Sequence, residues 1–147
     1  RSIKPNLPDW AYRCSRGQLD RLENLTSKDG VKERQESLDL FSDFCFNDEF
    51  LLHDDWRKSL REDRNWALFN VKCWLQLTRD ALLMKAQTPQ FVLNTDQSVL
   101  IKQLDQFSFK KLAWLSNALI QAARDINANQ DSSLVVDSLR VKYARVD

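Results

Sequence analysis

Glycine is almost missing from this chain: Gly17 and Gly30 are the only two in 147 residues, and the three prolines stand at positions 5, 8 and 89. Two isolated glycines build neither a GxGxxG turn nor a GxxxxGK[ST] loop, so the dinucleotide fingerprint and the phosphate cradle are both excluded. Long stretches free of glycine and proline argue for helices over a turn-rich sheet. Histidine is also scarce. The single His53 has no nucleophile motif near it, which leaves no Ser-His-Asp or Cys-His constellation to read. It sits in His53-Asp54-Asp55, where consecutive side chains do not easily share one coordination sphere, so an exposed loop is favoured over a metal site.

Other features are lacking in ways that bound the class. The three cysteines, Cys14, Cys45 and Cys73, are odd in number and widely spaced. With no CxxC pair they read as small hydrophobes in a reducing, cytoplasmic compartment. No uncharged apolar run reaches 18 residues, and no signal-peptide pattern opens the chain. The chain begins with Arg1 rather than methionine, and is read as a piece of a longer protein. Charge of one sign is lacking too: 22 Lys and Arg stand against 21 Asp and Glu. That balance lacks the basic footprint of an autonomous nucleic-acid binder.

What is present suits a packed core. Hydrophobic residues make up 43% of the chain and charged ones 29%, with five tryptophans and eight phenylalanines. Such a composition is globular, and the aromatics supply large buried surfaces. Along the chain, residues 1–8 read as an extended entry. A helix then ends at a turn around Gly17, a short second helix follows, and Thr26 to Gly30 forms a loop. A helix from Val31 to Phe46 starts in solvent with Lys32, Glu33, Arg34 and Glu36, and buries its second half at Leu38, Phe41, Phe44 and Cys45.

The longest helix is expected from Asp63 to Lys85. At 100° per residue, Lys72, Gln76 and Arg79 share a polar stripe near Asn65. Trp66, Phe69, Cys73, Leu77 and Met84 form one apolar face, and Leu68, Val71, Leu75 and Leu82 another, which makes this helix central. A connection with extended character at Phe91-Val92-Leu93 leads to a helix capped by Asn94 or Thr95. Ser108 caps the next, which carries Leu112, Leu115, Leu119 and an Ala-rich side. After an Asn-rich break, Asp131 or Ser132 starts a last segment. It is read as helix because a lone strand would have no partner. The expected fold is an all-α bundle of about five or six helices.

Three groupings hold chemistry worth weighing. Trp66, Trp74 and Trp114 lie in helical stripes and read as core before ligand platforms. Arg140, Lys142 and Arg145 suit a helix C-terminus, and phosphate contact is the alternative. Arg79 and Asp80 stand side by side in the apolar run CWLQLTRDALLMK (residues 73–85). Arg79 falls on the polar stripe; Asp80 borders the core and must pair or hydrogen-bond. It is read as a tie to a neighbouring helix or loop, with a subunit contact as the alternative.

The order W-L-x-L-x-R-D-A-L-L-x-K (Trp74 to Lys85), then Asn94-x-Asp96, an Ala-rich helix, and Asn127-x-Asn129 followed by L-V-V-D-S-L resembles one family. It is similar to the C-terminal collar domain of the bacterial DNA polymerase III clamp-loader delta-prime subunit. Ser15-Arg16-Gly17 is similar to the Ser-x-Gly turn near the end of that family's lid domain. The following Gln18-Leu19-Asp20 departs from the family pattern. The tau/gamma and delta subunits have collars of similar design, and remain alternatives.

The resemblance implies residues 1–29 as the end of a lid domain or linker and 30–147 as the helical collar. It implies a non-catalytic oligomerisation role in a pentameric ATP-driven clamp loader, a component of a DNA-directed DNA polymerase holoenzyme, in the bacterial cytoplasm. The partners would be tau/gamma and delta, with sliding clamp and primer-template DNA met only through the whole complex. No cofactor, metal, membrane or small-molecule substrate is expected. Structural or subunit-contact candidates are Arg79, Asp80, Asn94, Asp96, Asn129, Asp137, Leu139 and Tyr143. A helical nucleic-acid binder using Arg13, Arg16 and Arg21 or the C-terminal cluster is the rival reading. An enzyme with a site between helices ranks last, because catalytic titratable groups are scarce.

Overall fold

Helix caps and buried stripes set the element boundaries. The computed structural model describes residues 7–16 and 18–147. The first six residues of the expected entry and the turn at Gly17 lie outside the described residues. The rest forms eight α-helices: α1 (Asp9–Ser15), α2 (Leu19–Thr26), α3 (Lys28–Phe46), α4 (Asp55–Glu62), α5 (Arg64–Lys85), α6 (Ser98–Leu104), α7 (Phe109–Asn127) and α8 (Ser132–Tyr143). Short 3-10 turns occupy Phe50–Leu52 and Pro89–Phe91. No strand forms among the described residues. The all-α class therefore holds, with more helices than the five or six expected. Two of the junctions are abrupt. Ser27 ends α2 and begins α3, and Asp63 ends α4 and begins α5, so single residues separate whole helices.

Each of those junction residues caps the helix it begins. Ser27 Oγ accepts from Gly30 N at 3.0 Å, and Asp63 Oδ1 accepts from Trp66 N at 3.0 Å. Ser108 and Asp131 cap α7 and α8 in the same way, as their positions before apolar-periodic runs predict. Two expectations fail here. The loop over Thr26 to Gly30 is shorter than read, because α3 already begins at Lys28. Neither Asn94 nor Thr95 caps α6; that position belongs to Gln97, without a side-chain cap.

Gly30 is used for close approach. A Cβ built there would stand 1.6 Å from the backbone oxygen of Asn24 in α2. Gly30→Ala must therefore push α2 off the start of α3, at about 1–3 kcal/mol for such overpacking. The expected result is a lowered melting temperature together with faster proteolysis between residues 18 and 27. Unchanged protection of that segment would disprove the packing role.

Helix α5 is the axis, in contact with α3, α4, α6 and most extensively α7. Its buried side chains are Ala67, Asn70, Val71, Trp74, Leu77, Thr78, Asp80 and Ala81. The two expected apolar faces are corrected: only Leu77 of the first and Val71 of the second are buried, the stripe through Trp74 between them being the inner one. Trp66, Phe69, Cys73, Leu68, Leu75 and Leu82 are half-buried, and Met84 is 45% exposed. The centre of the core is aromatic. Trp74 is fully buried, with ring centroids of Phe41 and Phe44 at 5.5 and 5.3 Å. Its indole N–H donates to Ser37 O at 3.0 Å, so burial leaves no orphan donor. Trp66 and Trp114 are half-buried, Trp66 stacked on Phe69. Among the described residues, no helix is long and apolar enough to cross a membrane.

Candidate functional site

The polar group that dominates the interior is Asp80, which has no solvent exposure. Its carboxylate faces the loop between α5 and α6. Oδ1 accepts from Leu93 N at 2.9 Å, and Oδ2 accepts from Asn94 N and Asn94 Nδ2, both at 2.8 Å. A buried carboxylate is tolerated when donors surround it, and here backbone and amide donors do so. Asn94, itself buried, cannot cap α6 because its side chain is committed elsewhere. Its Oδ1 accepts from Arg34 Nη2 at 2.9 Å and from the Cys14 thiol at 3.3 Å.

Arg34 extends the network to Asp96. Nη1 and Nη2 donate to the two Asp96 carboxylate oxygens at 2.8 Å each, a bidentate pair. The guanidinium carbon also lies 3.7 Å from the centre of the Trp10 ring. The expectation that Arg34 sits in solvent is therefore overturned: it is 6% exposed, because Asn94, Asp96 and Trp10 enclose it. Arg13 completes the attachment of α1. It donates to Gln90 O at 2.9 Å and Val92 O at 3.1 Å, and pairs with Asp9.

Of the residues singled out from sequence, the fold thus brings Asp80, Asn94 and Asp96 together in one node. Arg79 is not part of it; one position away on the helix, it faces solvent. Its stripe-mates Lys72 and Gln76 line a groove of about 570 Å³ with Arg21, Glu33 and Phe69. Asn129 follows α7 with a positive φ of 65° and accepts from Arg64 through its side chain. Asp137 takes an ion pair from Arg57 at 2.7 Å, joining α8 to α4. Leu139 is core, and Tyr143 O–H donates to Cys45 O at 3.0 Å.

Sequence reasoning missed Arg34, Arg57 and Cys14. Their partners lie 60 or more residues away, so no local spacing points to them. The C-terminal basic cluster is split as well: Lys142 and Arg145 are exposed, whereas Arg140 is buried.

Ionisation follows these surroundings. Burial pushes the Cys14 and Cys45 thiols up to about 12 and Cys73 to about 11, which keeps them protonated and poorly nucleophilic. Burial also pulls Asp96 upward, but the hydrogen bonds from Arg34 and then Gln97 outweigh it and hold the carboxyl below its usual range. A carboxyl depressed in the folded state favours folding above its unfolded pKa of about 3.9 and loses that contribution as pH falls through the folded value. Urea midpoints measured from pH 5 downward should therefore fall less steeply for Asp96→Asn than for the wild type. Equal slopes would show that the pair contributes no linkage.

No group of three His, Cys, Asp or Glu side chains among the described residues is placed to hold a metal. His53 stands exposed beside an open groove with Asp55, Asp43 and Glu36. Within the node the donors and acceptors satisfy each other; Asp80, Asn94 and Arg34 are buried, and Asp96 stands at the exposed edge. What the arrangement does is brace α1, α3, α5 and the loop before α6 against one another. Comparison of the chain with family models, with curated proteins and with solved structures gave no match in any of the three.

Proposed function

We propose that the chain is the C-terminal collar domain of a bacterial clamp-loader delta-prime subunit, a non-catalytic module that joins tau/gamma and delta in the cytoplasm. The observation that carries this reading is the meeting of the two separated pieces of the resemblance. The Arg-Asp pair of the long helix and the Asn-x-Asp of the loop converge through Asp80, Asn94 and Asp96, where they brace the domain internally. Surface chemistry supports an assembly role. Helix α8 buries Val136, Leu139 and Tyr143 on one side. Leu134 and Val141, seven residues apart and so on one stripe, are 63% and 39% exposed. A helix apolar on two sides has a second surface to cover.

Assembly tests the reading. The longer protein carrying this chain, mixed with the tau/gamma and delta subunits of the same organism, should elute as one complex in size exclusion. Removing residues 31–147 should abolish its entry into that complex. Assembly that survives the truncation would refute the proposal.

A further inference from the structure

The outer side of the α5–α7 pair combines apolar residues with charge of a single sign. Leu68, Leu75 and Leu82 recur every seven residues along α5, each half-buried against the core. At 100° per residue they lie between the buried Val71 and Thr78 and the exposed Lys72 and Arg79. Tyr143 of α8 and Trp74 of α5 both pack on Phe44, with ring centroids at 5.2 and 5.3 Å, so α8 lies on the Trp74 side of α5. The flank of α7 turned away from α8 therefore meets α5 along the leucines. That flank carries Ile120, 39% exposed, on the other side of α7 from Trp114, Ala118 and Gln121, which line the groove toward α8. Arg64 at the start of α5 bonds to Asn129 just past the end of α7, so the two helices run antiparallel and the strip extends along both.

Its charges are Arg64, Lys72 and Arg79 on α5 and Arg124, one turn beyond Ile120, on α7; all four are exposed. Among the described residues none of the four forms an ion pair, and the Asn129 amide that Arg64 meets is neutral. Helices α5 and α7 contain only one carboxylate each. Asp80 is buried in the node, and Asp125 accepts from Gln121 on the α8 side. Asp29 and Glu33 share a groove with Lys72 on the far edge of the polar stripe, without pairing with it. In a chain of 22 cations and 21 anions, such a strip is segregated charge.

We propose that this strip docks an amphipathic helix of a partner protein, apolar every three to four residues and edged with Asp or Glu. The leucines span fourteen residues, about 21 Å, and their seven-residue repeat matches a helix laid along α5. Apolar side chains of the partner cover the leucines and Ile120, while its carboxylates meet Lys72, Arg79 and Arg124. A nucleic-acid backbone would answer the cations but leave the apolar residues uncovered. The inference stands on this strip alone, on the opposite flank of α7 from the α8 residues that support the collar reading.

The test uses the 147-residue chain and a fluorescein-labelled helical peptide of about three heptads, with leucine at the first and fourth positions and glutamate beside them. At about 0.15 M salt its anisotropy should rise and saturate, with a midpoint below about 0.1 mM. A counterpart carrying lysine for glutamate should bind at least about tenfold more weakly. Arg79→Glu, at an exposed position, should weaken the acidic peptide about fivefold, and Ile120→Gln by a similar factor. Lys58→Glu on α4 should leave binding unaltered. Failure to saturate by about 1 mM, equal binding of the lysine peptide, or an unchanged midpoint in Arg79→Glu would overturn the proposal. So would a twelve-nucleotide single strand that bound more tightly than the acidic peptide.

Discussion

Asp80→Ala should lower the unfolding free energy by about 3–5 kcal/mol, the range for removing one side of a buried charged network. Three donors lose their acceptor at once: Leu93 N, Asn94 N and Asn94 Nδ2. Asn94 then loses its orientation, and with it the acceptor that Arg34 and Cys14 share. For a domain of this length the melting temperature should fall by about 2–4 °C per kcal/mol, roughly 10 °C in all. Asp80→Asn should rescue only part of the loss. Both carboxylate oxygens are acceptors here, so the new amide nitrogen meets a donor whichever way it turns. Arg79→Ala, one residue earlier and exposed, should stay within about 0.5 kcal/mol of wild type. Urea denaturation followed by circular dichroism gives all three values. A loss below about 1 kcal/mol for Asp80→Ala would remove the node from its central place.

Trp74→Ala should cost a similar amount, about 3–5 kcal/mol, for a different reason. The side chain is fully enclosed by Phe41, Phe44 and the backbone of α3. Its removal opens a cavity and takes from the Ser37 carbonyl the indole N–H, its second donor beside the helical bond within α3. Trp74→Phe fills much of the space and should recover about half of the loss, the residue being the missing hydrogen bond. Trp66→Ala supplies the contrast, since that ring is half-buried. If the two alanine variants were equally destabilised, Trp74 would not be the centre of the core.

The helices were legible because their signals are local. Few glycines and prolines, caps such as Ser108 and Asp131, and apolar spacing along α7 are all readable within a few residues. The angle count along α5 correctly divided Arg79 from Asp80, since a 100° rotation separates solvent from core. Helix boundaries were less evenly legible. Asp63 reads as the start of the long helix and caps it, whereas Ser27, a junction of one residue, reads only as part of a loop over Thr26 to Gly30.

The node was half legible. A border carboxylate announces a need for donors, but not where they come from. Arg34 stands among Lys32, Glu33 and Glu36, and local pattern assigns it to the same solvated face. Only the fold brings Asp96 and Asn94 to it, across 62 and 60 positions.

The loop from Pro89 to Gln97 has a consequence for how this domain would drift over generations. Irregular segments ordinarily accumulate changes fastest, and a constant loop is ordinarily taken as a sign of binding. Here the loop is held by Asp80 on one side and by Arg13 and Arg34 on the other. Substitution would therefore be tolerated on the helix exteriors and purged from Asn94 and Asp96. In this domain, constancy in the loop would record how it is braced.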